Sequence, residues 1–565
     1  MEMTLDDSRR LTGPNLFTDS PGAVMEVYLN NIDRQAFVYA WRNYLQDLLN
    51  AMGMEAEIFH RYFDGGVNIG FTALEDRLYS ACEINEAAFE LARAEIFKDT
   101  ANPDTTSMEY LANMIWDESN KDLLALIQAS NKAGVTYLVD DDEFSLGMGK
   151  TSKTWPIADL PDPQQLDFSQ FSDIPVAFIT GTNGKSTSVR MADSVAKAAG
   201  YDSGITSTDF IRAADEILDK GDYSGPGGAR TLIRNNKVEL ALLEVARGGM
   251  LRRGLGVHRA KAAMITNVAD DHLGQYGINT VAELTGAKGI VSRSLDKDGT
   301  LVLNADDEGL VEYFKKNNHL VRGKLCYFSL NPNNPIVKEA LNQNHQVILQ
   351  NNGNIEICQH DNVEVLMPVN DIPTALNGAA QHNVANAMGV VGLSLGLGIS
   401  KDAIIKGLGQ FKGDVNDNPG RGNYFNINGA RFLIDFAHNA HSLTAVVNTV
   451  SAQPAKRRLI MLGHAGDRTD RDIFNLTEVA LRMKPDMVVI AEIEDYLRGR
   501  ELGEIPALIK TQCLDAGLSE QQIHIATSCL DGTKFSVDWA QKEDFVLLLA
   551  LDQRDQIFNY LETKI

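Results

Sequence analysis

The chain has 565 residues, of which 44% are hydrophobic, and its 52 basic and 76 acidic side chains give a net charge of −24. This length predicts three or four domains with sizeable cores. The acidic balance argues against non-specific binding to nucleic acid or to an anionic membrane, so an anionic ligand must be held by local sites.

No apolar run approaches the ~18 residues that cross a bilayer, and the start of the chain lacks the basic and apolar regions of a signal peptide. The sequence therefore predicts a cytoplasmic protein. The five cysteines are scattered, form no metal-binding spacing and fit reduced thiols.

Residues 1–165 are predicted to form a small α+β domain and a linker, without an obvious catalytic cluster. The predicted elements are helices over 36–52, 86–97 and 107–133 and strands over 67–71 and 135–139. Residues 150–170 contain Pro156, Pro161 and Pro163 among many polar side chains. Because proline interrupts both helices and sheets, this stretch indicates a linker, and we expect the domain to end near residue 165.

A second domain is predicted over 166–412, where short apolar strands alternate with helices. This pattern is typical of a mostly parallel sheet that helices cover on both faces. Val176–Thr180 is a predicted buried strand and 188–200 a predicted helix, separated by a turn with glycine, lysine and hydroxyl side chains. At such a helix start, free N–H groups and the helix dipole favour a bound phosphate.

Lys185 in this turn can reach the outer phosphates of a nucleotide, and the hydroxyl of Ser186 or Thr187 can bind magnesium. The generic phosphate-loop pattern is only partly met, because Ile179 stands where a glycine is usual. An ordinary turn between a strand and a helix therefore remains an alternative at this point.

Polar residues follow two further predicted strands, 238–243 and 262–265. Glu244 comes directly after the first strand, and His272 lies shortly after the second. Open α/β sheets bind ligands at the carboxyl ends of their strands, and magnesium prefers oxygen ligands with occasional imidazole. Glu244 and His272 are thus candidate metal or phosphate residues, although each alone would also fit a capping glutamate or a surface histidine.

A predicted helix begins at a capping box over 280–283 and places Lys288 on an apolar stripe with Val281, Leu284 and Val291. A lysine that faces the core is costly unless it is paired or chemically modified. On an ordinary helix the side chain could instead extend to the surface. The residues by themselves leave both interpretations open.

The rest of the second domain contains a strand over 301–303 that ends in polar residues, among them Asp306. Residues 325–367 indicate hairpins with Asn and Gly turns, and 377–397 is a predicted helix that contains Asn383.

The third predicted domain, 413–565, has the pattern of a second doubly wound, Rossmann-like α/β sheet. Its predicted strands are 431–434, 459–462, 487–491, 523–526 and 545–549. Polar segments follow the first three strands, over 435–439, 463–468 and 494–500, where a sheet of this type binds its ligands.

Gly181–Ser186 matches the Gly-Thr-Asn-Gly-Lys-Thr/Ser loop of the Mur ligase family, ATP-dependent enzymes that join an amino acid to a carboxylate, and of the related folylpolyglutamate synthetases. This match accounts for Ile179. Within the family the sequence most resembles the Mur-like half of cyanophycin synthetase, over about residues 173–565. The further matching motifs are Asp222–Pro226, Glu244–Gly249, Asp271–Gly274 and Arg498–Arg500.

The first domain also resembles the N-terminal domain of cyanophycin synthetase, through residues 10–16 and 146–150. In that enzyme an ATP-grasp module, which adds aspartate, lies between the two regions. Here the linker leads almost directly to the phosphate loop. We therefore expect that the chain does not make the two-residue repeat by itself.

The resemblance implies roles for individual residues and implies ATP and Mg²⁺ as cofactors. It implies nucleotide binding by Gly181, Thr182, Asn183, Gly184, Lys185, Ser186, Thr187, Asp306, Asn383, Arg421 and Asp435. It implies metal binding by Ser186, Glu244 and His272, and catalytic roles for Lys185, His272, Lys288 and Arg421. It implies substrate contacts by His438, Asn439, Arg498 and Arg500. Lys288 would be the carbamylated lysine of the family, an anionic group suited to magnesium.

The resemblance implies a reaction in which a substrate carboxylate attacks the γ-phosphate of ATP and an amino acid amine then displaces phosphate from the acyl phosphate. Such chemistry depends mainly on positioning and charge neutralisation. The expected partners are small-molecule substrates. They are an amino acid, with a basic one as the first expectation, and a carboxylate acceptor such as an aspartyl peptide. A homo-oligomer is compatible with the sequence, and neither nucleic acid nor membrane is an expected partner.

Two other functions stay open. One is a Mur or folylpolyglutamate-type ligase for another acceptor, although the first domain lacks the glycine-rich loop expected of a uridine-nucleotide-binding domain. The other is a non-catalytic ATP-binding partner of an ATP-grasp enzyme. Lys185, Glu244, His272, Lys288 and Arg421 argue against this second alternative, because an inactive copy would be free to lose them.

Overall fold

The computed structural model describes residues 2–565, apart from the side chain of Pro103. The described chain forms two compact units. Unit 1 contains the chain as far as Asn351 together with Glu356–Leu366 and Met388–Gly407. Unit 2 contains Asn352–Ile355, Met367–Ala387 and Leu408–Ile565.

The N-terminal part of unit 1 is an antiparallel sheet with helices packed on it, followed by a small three-stranded sheet. Its elements are β1 (Glu2–Leu11), β2 (Gly22–Asn30), α1 (Arg34–Ala51), β3 (Ile58–Phe63), β4 (Gly66–Thr72), α2 (Leu78–Phe97), α3 (Pro103–Thr106), α4 (Met108–Glu118), α5 (Lys121–Ala133), β5 (Tyr137–Val139), β6 (Glu143–Leu146) and β7 (Lys153–Pro156). The first sheet has the order β1-β2-β4-β3, and β5, β6 and β7 form the second. Phe37, Trp41 and Phe71 are fully buried in the core between the first sheet and the helices.

Three predictions for this region need correction. The predicted single helix over 107–133 is two helices, because Ser119 leaves the helical region and Asn120 caps α5 by accepting a hydrogen bond from Leu123 N–H. The predicted linker contains β7. Strands β1 and β2 were not predicted, and β1 alternates exposed and half-buried residues along most of its length, so its apolar signal is weak.

A large, mostly parallel sheet with its helices forms most of the remainder of unit 1, although some of these elements continue into unit 2, and it confirms the predicted fold class. Its elements and flanking helices are β8 (Val176–Thr180), α6 (Lys185–Ala198), β9 (Ser203–Thr206), β10 (Phe210–Ala213), β11 (Glu216–Lys220), α7 (Pro226–Ile233), β12 (Leu240–Glu244), α8 (Arg247–Arg253), β13 (Ala260–Ile265), α9 (Val281–Gly289), β14 (Leu295–Asn304), α10 (Glu308–Lys316), β15 (Lys324–Ser329), α11 (Pro335–Asn342), β16 (Gln346–Asn351), β17 (Asn354–Gln359), β18 (Asn362–Pro368), α12 (Gln381–Gly396) and α13 (Lys401–Gln410).

The strand order is β11-β10-β9-β12-β8-β13-β14-β15-β16-β17-β18, and neighbouring strands are parallel from β9 to β16. Every residue of β8 and β12 is buried, as expected for strands covered on both faces. The carboxyl ends of β12, β8 and β13 therefore lie side by side. The predicted hairpins over 325–367 are wrong in their first half, because β15 and β16 are parallel and α11 connects them.

Unit 2 contains a second doubly wound sheet, and all of its predicted strands are present. Its elements are β19 (Asn423–Ile427), β20 (Ala430–Asp435), α14 (Ala440–Ser451), β21 (Arg458–Leu462), α15 (Asp470–Leu481), β22 (Met487–Ala491), α16 (Glu504–Asp515), β23 (Ile523–Ala526), α17 (Cys529–Trp539), β24 (Phe545–Leu549) and α18 (Arg554–Glu562). The order is β19-β20-β24-β21-β22-β23, with only the pair β19–β20 antiparallel.

Among the described residues, no helix combines the length and the apolar character that crossing a membrane requires. The predicted boundary near residue 165 lies inside unit 1, while the boundary near 412 lies close to the return of the chain into unit 2 at Leu408. The division into three domains with these boundaries stays a prediction.

We predict that Trp41→Ala destabilises the protein much more than Trp116→Ala. Trp41 has no exposed surface and its indole N–H donates to Asn85 Oδ1 at 3.0 Å, so truncation leaves a cavity and an unpaired amide oxygen. The expected loss in the free energy of unfolding is about 3–5 kcal/mol. Trp116 is 82% exposed, and its truncation should change the free energy by less than about 0.5 kcal/mol. Urea titration followed by circular dichroism measures both, and equal shifts would contradict the assigned core.

Candidate functional site

The predicted phosphate loop lies between the end of β8 and the start of α6, at the centre of the large sheet. Two positions in this loop can be occupied only by glycine. Gly184 has φ +84°, and Gly181 has φ +149° and leaves no room for a side chain, since a Cβ there would lie 1.8 Å from Thr266 Oγ1. The strand, turn and helix that the sequence predicts are therefore formed, with a turn shaped by close packing against the end of β13.

The segment that follows β13 holds the loop through several hydrogen bonds. Thr182 N–H donates to Asn267 O at 2.8 Å, Asn183 N–H donates to Asn267 Oδ1 at 3.1 Å, and Thr266 Oγ1 donates to Asn183 O at 2.6 Å. These bonds fix the loop before any ligand arrives, which lowers the entropic cost of binding. Asn267 was not singled out in the sequence, although it lies in the polar stretch after a predicted strand.

Lys185 and Thr187 occupy the first turn of α6, where the helix dipole favours an anion. The Lys185 ammonium donates to Thr182 O at 3.0 Å, so its side chain folds back over the loop. Thr187 is buried. Both positions agree with the predicted phosphate contacts, which stay predictions.

Ser186 and Glu244, the two predicted ligands of one metal ion, lie in contact, and their metal binding stays a prediction. The Ser186 hydroxyl donates to Glu244 Oε1 at 3.1 Å, and both residues are buried. Glu244 is the last residue of β12, which pairs with β8, so the sheet itself brings the carboxylate to the phosphate loop.

Lys288 faces the interior, and the alternative in which it extends to the surface is wrong. The residue is 4% exposed, and its amine donates to Gly181 O of the phosphate loop at 2.8 Å. Burial lowers the pKa of Lys288 well below its usual value, the positive charges of Lys185 and Arg247 lower it further, and Asp271 opposes them. The amine is therefore neutral far more often than that of an exposed lysine.

The apolar stripe predicted around Lys288 is only partly correct. Leu284 and Val291 are buried, whereas Val281 is 37% exposed. Val281 is the first residue of α9, and helix α9 ends at Gly289, so the regular spacing does not extend over the whole predicted stripe.

His272 lies in the loop between β13 and α9 and has a left-handed backbone, with φ +53°. Its side chain is 40% exposed and its Nε2 lies 3.8 Å from Asp271 Oδ1. The Arg247 guanidinium holds the loop, since it donates to His272 O and, at 2.6 Å, to Gln275 Oε1. The sequence indicated Arg247 only as part of a motif, because a contact over 25 residues leaves no local pattern.

Asp306 lies after β14, and its carboxylate organises the neighbouring loop. It accepts hydrogen bonds from Ser329 Oγ at 2.6 Å, Leu330 N–H at 2.7 Å and Asn334 Nδ2 at 2.9 Å. Its predicted contact with adenine or ribose stays a prediction.

Unit 2 contains a cavity of about 390 Å³ that brings together three predicted nucleotide residues, Asn383, Arg421 and Asp435. Asn383 Nδ2 donates to Thr374 O at 3.0 Å, which orients the amide. His382 also lines the cavity, and burial lowers its pKa to about 4, so it is neutral near pH 7.

Burial raises the pKa of Asp435 to about 6, against the opposing effects of a hydrogen bond from Ala437 N–H and of the Arg421 charge. Asp435 ends β20, so its position follows the rule that polar groups gather at the carboxyl ends of strands.

The four predicted substrate residues also belong to unit 2, and each has a partner within the protein. Asn439 caps α14 by accepting from Ser442 N–H at 2.8 Å. Arg498 pairs with Asp467 at 2.7 Å, whereas Arg500 donates to Gly466 O at 3.1 Å and to three further acceptors around α15 and α16. The half-buried His438 has its Nδ1 3.1 Å from Phe436 O. Their substrate contacts stay predictions.

Two family patterns match the chain. The Mur ligase middle domain matches residues 179–394, and the glutamate ligase domain of Mur ligases matches residues 420–550. Together they cover more than half of the chain.

Individual relatives agree with this match. The cyanophycin synthetase of Geminocystis herdmanii is 36% identical over 338 residues, which are 60% of this chain and 38% of that protein. The cyanophycin synthetase of Crocosphaera subtropica is 33% identical over 396 residues, 70% of this chain and 44% of that protein. The chain thus spans less than half the length of these curated relatives.

The solved structure of Escherichia coli FolC in complex with ADP covers 69% of this chain and 90% of its own, with a TM-score of 0.50 and 16% identity. A similarity at this identity shows a common fold. The large parallel sheet with its phosphate loop and the second α/β sheet coincide with the two matched domains, and the chain belongs to the Mur ligase family.

Proposed function

We propose that the protein is an ATP-dependent ligase that forms an amide bond. A carboxylate oxygen of the acceptor attacks the γ-phosphorus of ATP, and ADP leaves. The amine of an amino acid then attacks the carbonyl carbon of the acyl phosphate, and phosphate and a proton are released. The observation that carries this proposal is the contact of the buried Lys288 amine with Gly181 O, which brings Lys288 onto the phosphate loop.

The proposed residues act by position and charge. Lys185 and the N–H groups in the first turn of α6 neutralise and orient the outer phosphates, and the loop before them is already fixed by Thr266 and Asn267. Preorganised donors of this kind stabilise charge that develops in the transition state without reorganisation during the reaction. The reaction needs no serine or cysteine nucleophile.

The oxygen ligands at the start of α6 and at the end of β12 fit a magnesium ion. The hydroxyl of Ser186 and the carboxylate of Glu244 are hard oxygen ligands within 3.1 Å of each other, and His272 would contribute to a second metal. When bound, Mg²⁺ neutralises phosphate charge. Because Ser186 follows Lys185 in α6, a metal ion held by Ser186 and Glu244 would lie close to the phosphates that Lys185 contacts.

Lys288 is proposed to carry a carbamate. Its neutral amine attacks CO₂, a C–N bond forms, and the proton lost from nitrogen leaves an anionic group. The low pKa that burial imposes favours this reaction, because only the neutral amine is nucleophilic. Modification would also replace a buried neutral amine near the Lys185 charge with an anion suited to metal binding.

Asn383, Arg421 and Asp435, which line the unit 2 cavity, are proposed to contact the nucleotide. We propose an aspartyl acceptor and a basic amino acid as substrates because the chain is similar to cyanophycin synthetases. That activity is named for the relatives, and its assignment to this chain is part of the proposal. A cytoplasmic location and small-molecule partners complete the proposal.

We predict that the purified protein releases phosphate from Mg-ATP when an amino acid and an acceptor are both present. The screen covers amino acids with aspartyl and aspartyl-arginine peptides, and mass spectrometry identifies the amide product. Lys185→Ala should lower kcat/KM by about 10²–10³-fold, because a donor to the transition state is lost. Lys197→Ala is the matched control, since Lys197 lies on the same helix and pairs with the exposed Asp215.

The results of this screen separate the three candidate functions. Turnover with another acceptor would indicate a ligase of different specificity. If the wild-type protein releases phosphate no faster than Lys185→Ala with every acceptor and amino acid tested, the ligase proposal is contradicted and a non-catalytic ATP-binding protein is favoured.

We predict that Lys288→Ala still binds ATP but loses turnover on the order of 10–100-fold, because a metal-site group is missing. Short carboxylic acids should restore part of the activity. Incubation with ¹³C-bicarbonate should give a carbamate signal in the NMR spectrum of the wild-type protein and no such signal in the spectrum of Lys288→Ala. Full activity of the variant together with absence of the signal would remove the carbamate from the mechanism.

We predict that ATP affinity falls as the pH is lowered from above to below the pKa of Asp435, about 6. Above this pKa the group is a carboxylate that accepts hydrogen bonds and faces Arg421, and below it the charge is lost. Calorimetry should show that, as the pH is lowered, the dissociation constant for ATP rises about 3–10-fold more for the wild-type protein than for Asp435→Asn. This difference corresponds to a shift of up to about one unit in the pKa of Asp435 between the free and the ATP-bound protein. Titration of ATP itself affects both proteins equally. Identical pH profiles would refute the role of Asp435.

A further inference from the structure

A row of polar residues crosses the N-terminal sheet from edge to edge. In the strand register, Asp7 pairs with Glu26, Glu26 pairs with Asn68, and Asn68 pairs with Arg61. Residues directly opposite each other on neighbouring strands share one face of a sheet. All four side chains therefore belong to the same face.

The centre of this row is buried, which needs an explanation. Glu26 and Asn68 have no exposed surface, and burial raises the pKa of Glu26 against the opposing charge of Arg9. Asn68 Oδ1 accepts two hydrogen bonds from Arg61, at 2.8 Å from Nη2 and 3.2 Å from Nε. Buried polar groups are costly unless they have partners, and Arg61 has further partners outside the sheet.

Arg61 reaches the loop that carries His272. Its Nη2 donates to Gly277 O at 2.8 Å and to Tyr276 O at 3.3 Å, and its Nη1 donates to Glu283 Oε1 at 3.2 Å. The Arg9 guanidinium lies 5.0 Å from the centre of the Tyr276 ring. One end of the polar row, at Arg61, is thus in contact with the segment between His272 and Glu283.

Glu283 connects this contact to the helix of Lys288. Its second oxygen, Oε2, accepts from Asn279 N–H at 2.8 Å and from Thr280 N–H at 3.0 Å, which forms the cap of α9. Lys288 lies in the last turn of the same helix. Arg61 therefore binds the first turn of α9 and the loop before it through one guanidinium.

The loop needs such support because its backbone is unfavourable. His272, Gly274, Tyr276 and Gly277 all have positive φ, between +53° and +88°. Non-glycine residues rarely adopt this conformation without external contacts. Arg247 holds the loop at His272 and Gln275, and Arg61 holds it at the other end.

We propose that Arg61 is a positioning residue of the N-terminal domain, which keeps the His272 loop and helix α9 in the arrangement that the reaction requires. The proposal rests on the proposed ligase function for its kinetic consequence and on the contacts of Arg61 alone for its structural consequence. The N-terminal domain thereby takes part in organising the catalytic site, in addition to any contact with an acceptor.

The first test compares Arg61→Met with Arg77→Met. Arg77 is a matched control, since its side chain is 21% exposed against 22% for Arg61 and its ion pair, with Asp76, stays within the N-terminal domain. Hydrogen exchange of the ligand-free protein should accelerate at least about 10-fold in residues 272–289 for Arg61→Met and remain unchanged there for Arg77→Met. Equal exchange in this segment for the two variants would overturn the proposal.

Kinetics give a second readout that a merely structural role would not produce. Arg61→Met should lower kcat on the order of 10–100-fold through misplacement of the loop, with the KM for ATP and the melting temperature close to those of Arg77→Met. Arg61→Lys, which keeps the charge beside Glu283, should recover part of kcat. An equal loss in the Lys and Met variants with uniformly faster exchange would show general destabilisation and refute positioning.

A backbone variant gives a test that leaves Arg61 in place. At Gly277 a new Cβ would lie 2.5 Å from the Phe63 ring and 2.9 Å from Arg61 Nη2, whereas at Gly274 it would meet no atom within 4 Å. Both glycines have positive φ, so Gly274→Ala reports the backbone strain alone. Gly277→Ala should accelerate exchange in the loop and lower kcat beyond Gly274→Ala, and equal effects would contradict the proposal.

The two proposals fail separately. If no acceptor supports phosphate release by the unmodified sequence, the ligase function is wrong, and the exchange comparison still decides whether Arg61 holds the loop. If phosphate release occurs and Arg61→Met behaves like Arg77→Met in both measurements, only the positioning role is wrong.

Discussion

The hydrogen bond from the buried Lys288 amine to Gly181 O is the contact on which the site depends. It joins the helix after β13 to the turn after β8, so two segments that are distant in sequence come into contact. The same contact explains why Lys288 is tolerated in the interior, because the amine has an acceptor and its low pKa removes most of the cost of a buried charge. A substitution at either position would therefore affect the loop and the helix together.

Rigidity is the second property of this arrangement. The phosphate loop is held by Thr266 and Asn267, the His272 loop by Arg247, and the start of α9 by Arg61 from the N-terminal sheet. The proposed phosphoryl transfer would gain mainly from groups that are fixed before the reaction, and each of these contacts would supply such a constraint. Arg61, at the edge of the N-terminal sheet, holds backbone carbonyl groups of the neighbouring loop, which an apolar side chain could not do.

Part of the fold and of the site could be predicted because their signals are local. Gly181–Ser186 is a continuous motif, and the apolar strands of both α/β sheets are short runs that pattern analysis detects. The hairpins expected over 325–367 and the single helix over 107–133 were wrong, because a parallel crossover and a break at Ser119 depend on packing and capping that apolar spacing does not describe. Strand β1 escaped detection since its polar residues hide the alternation.

The sequence by itself determined the residue types of the phosphate loop, the polar strand ends and the family resemblance, because each of these is a property of consecutive residues. Only the tertiary structure decided that Lys288 points into the interior and that Ser186 contacts Glu244. The contacts of Arg61 and Arg247 with the loop around His272 also emerged only there. The physical reason is that hydrogen bonds between distant segments depend on how strands pair and helices pack, and contacts over 25 to 216 residues leave no regular spacing in the sequence.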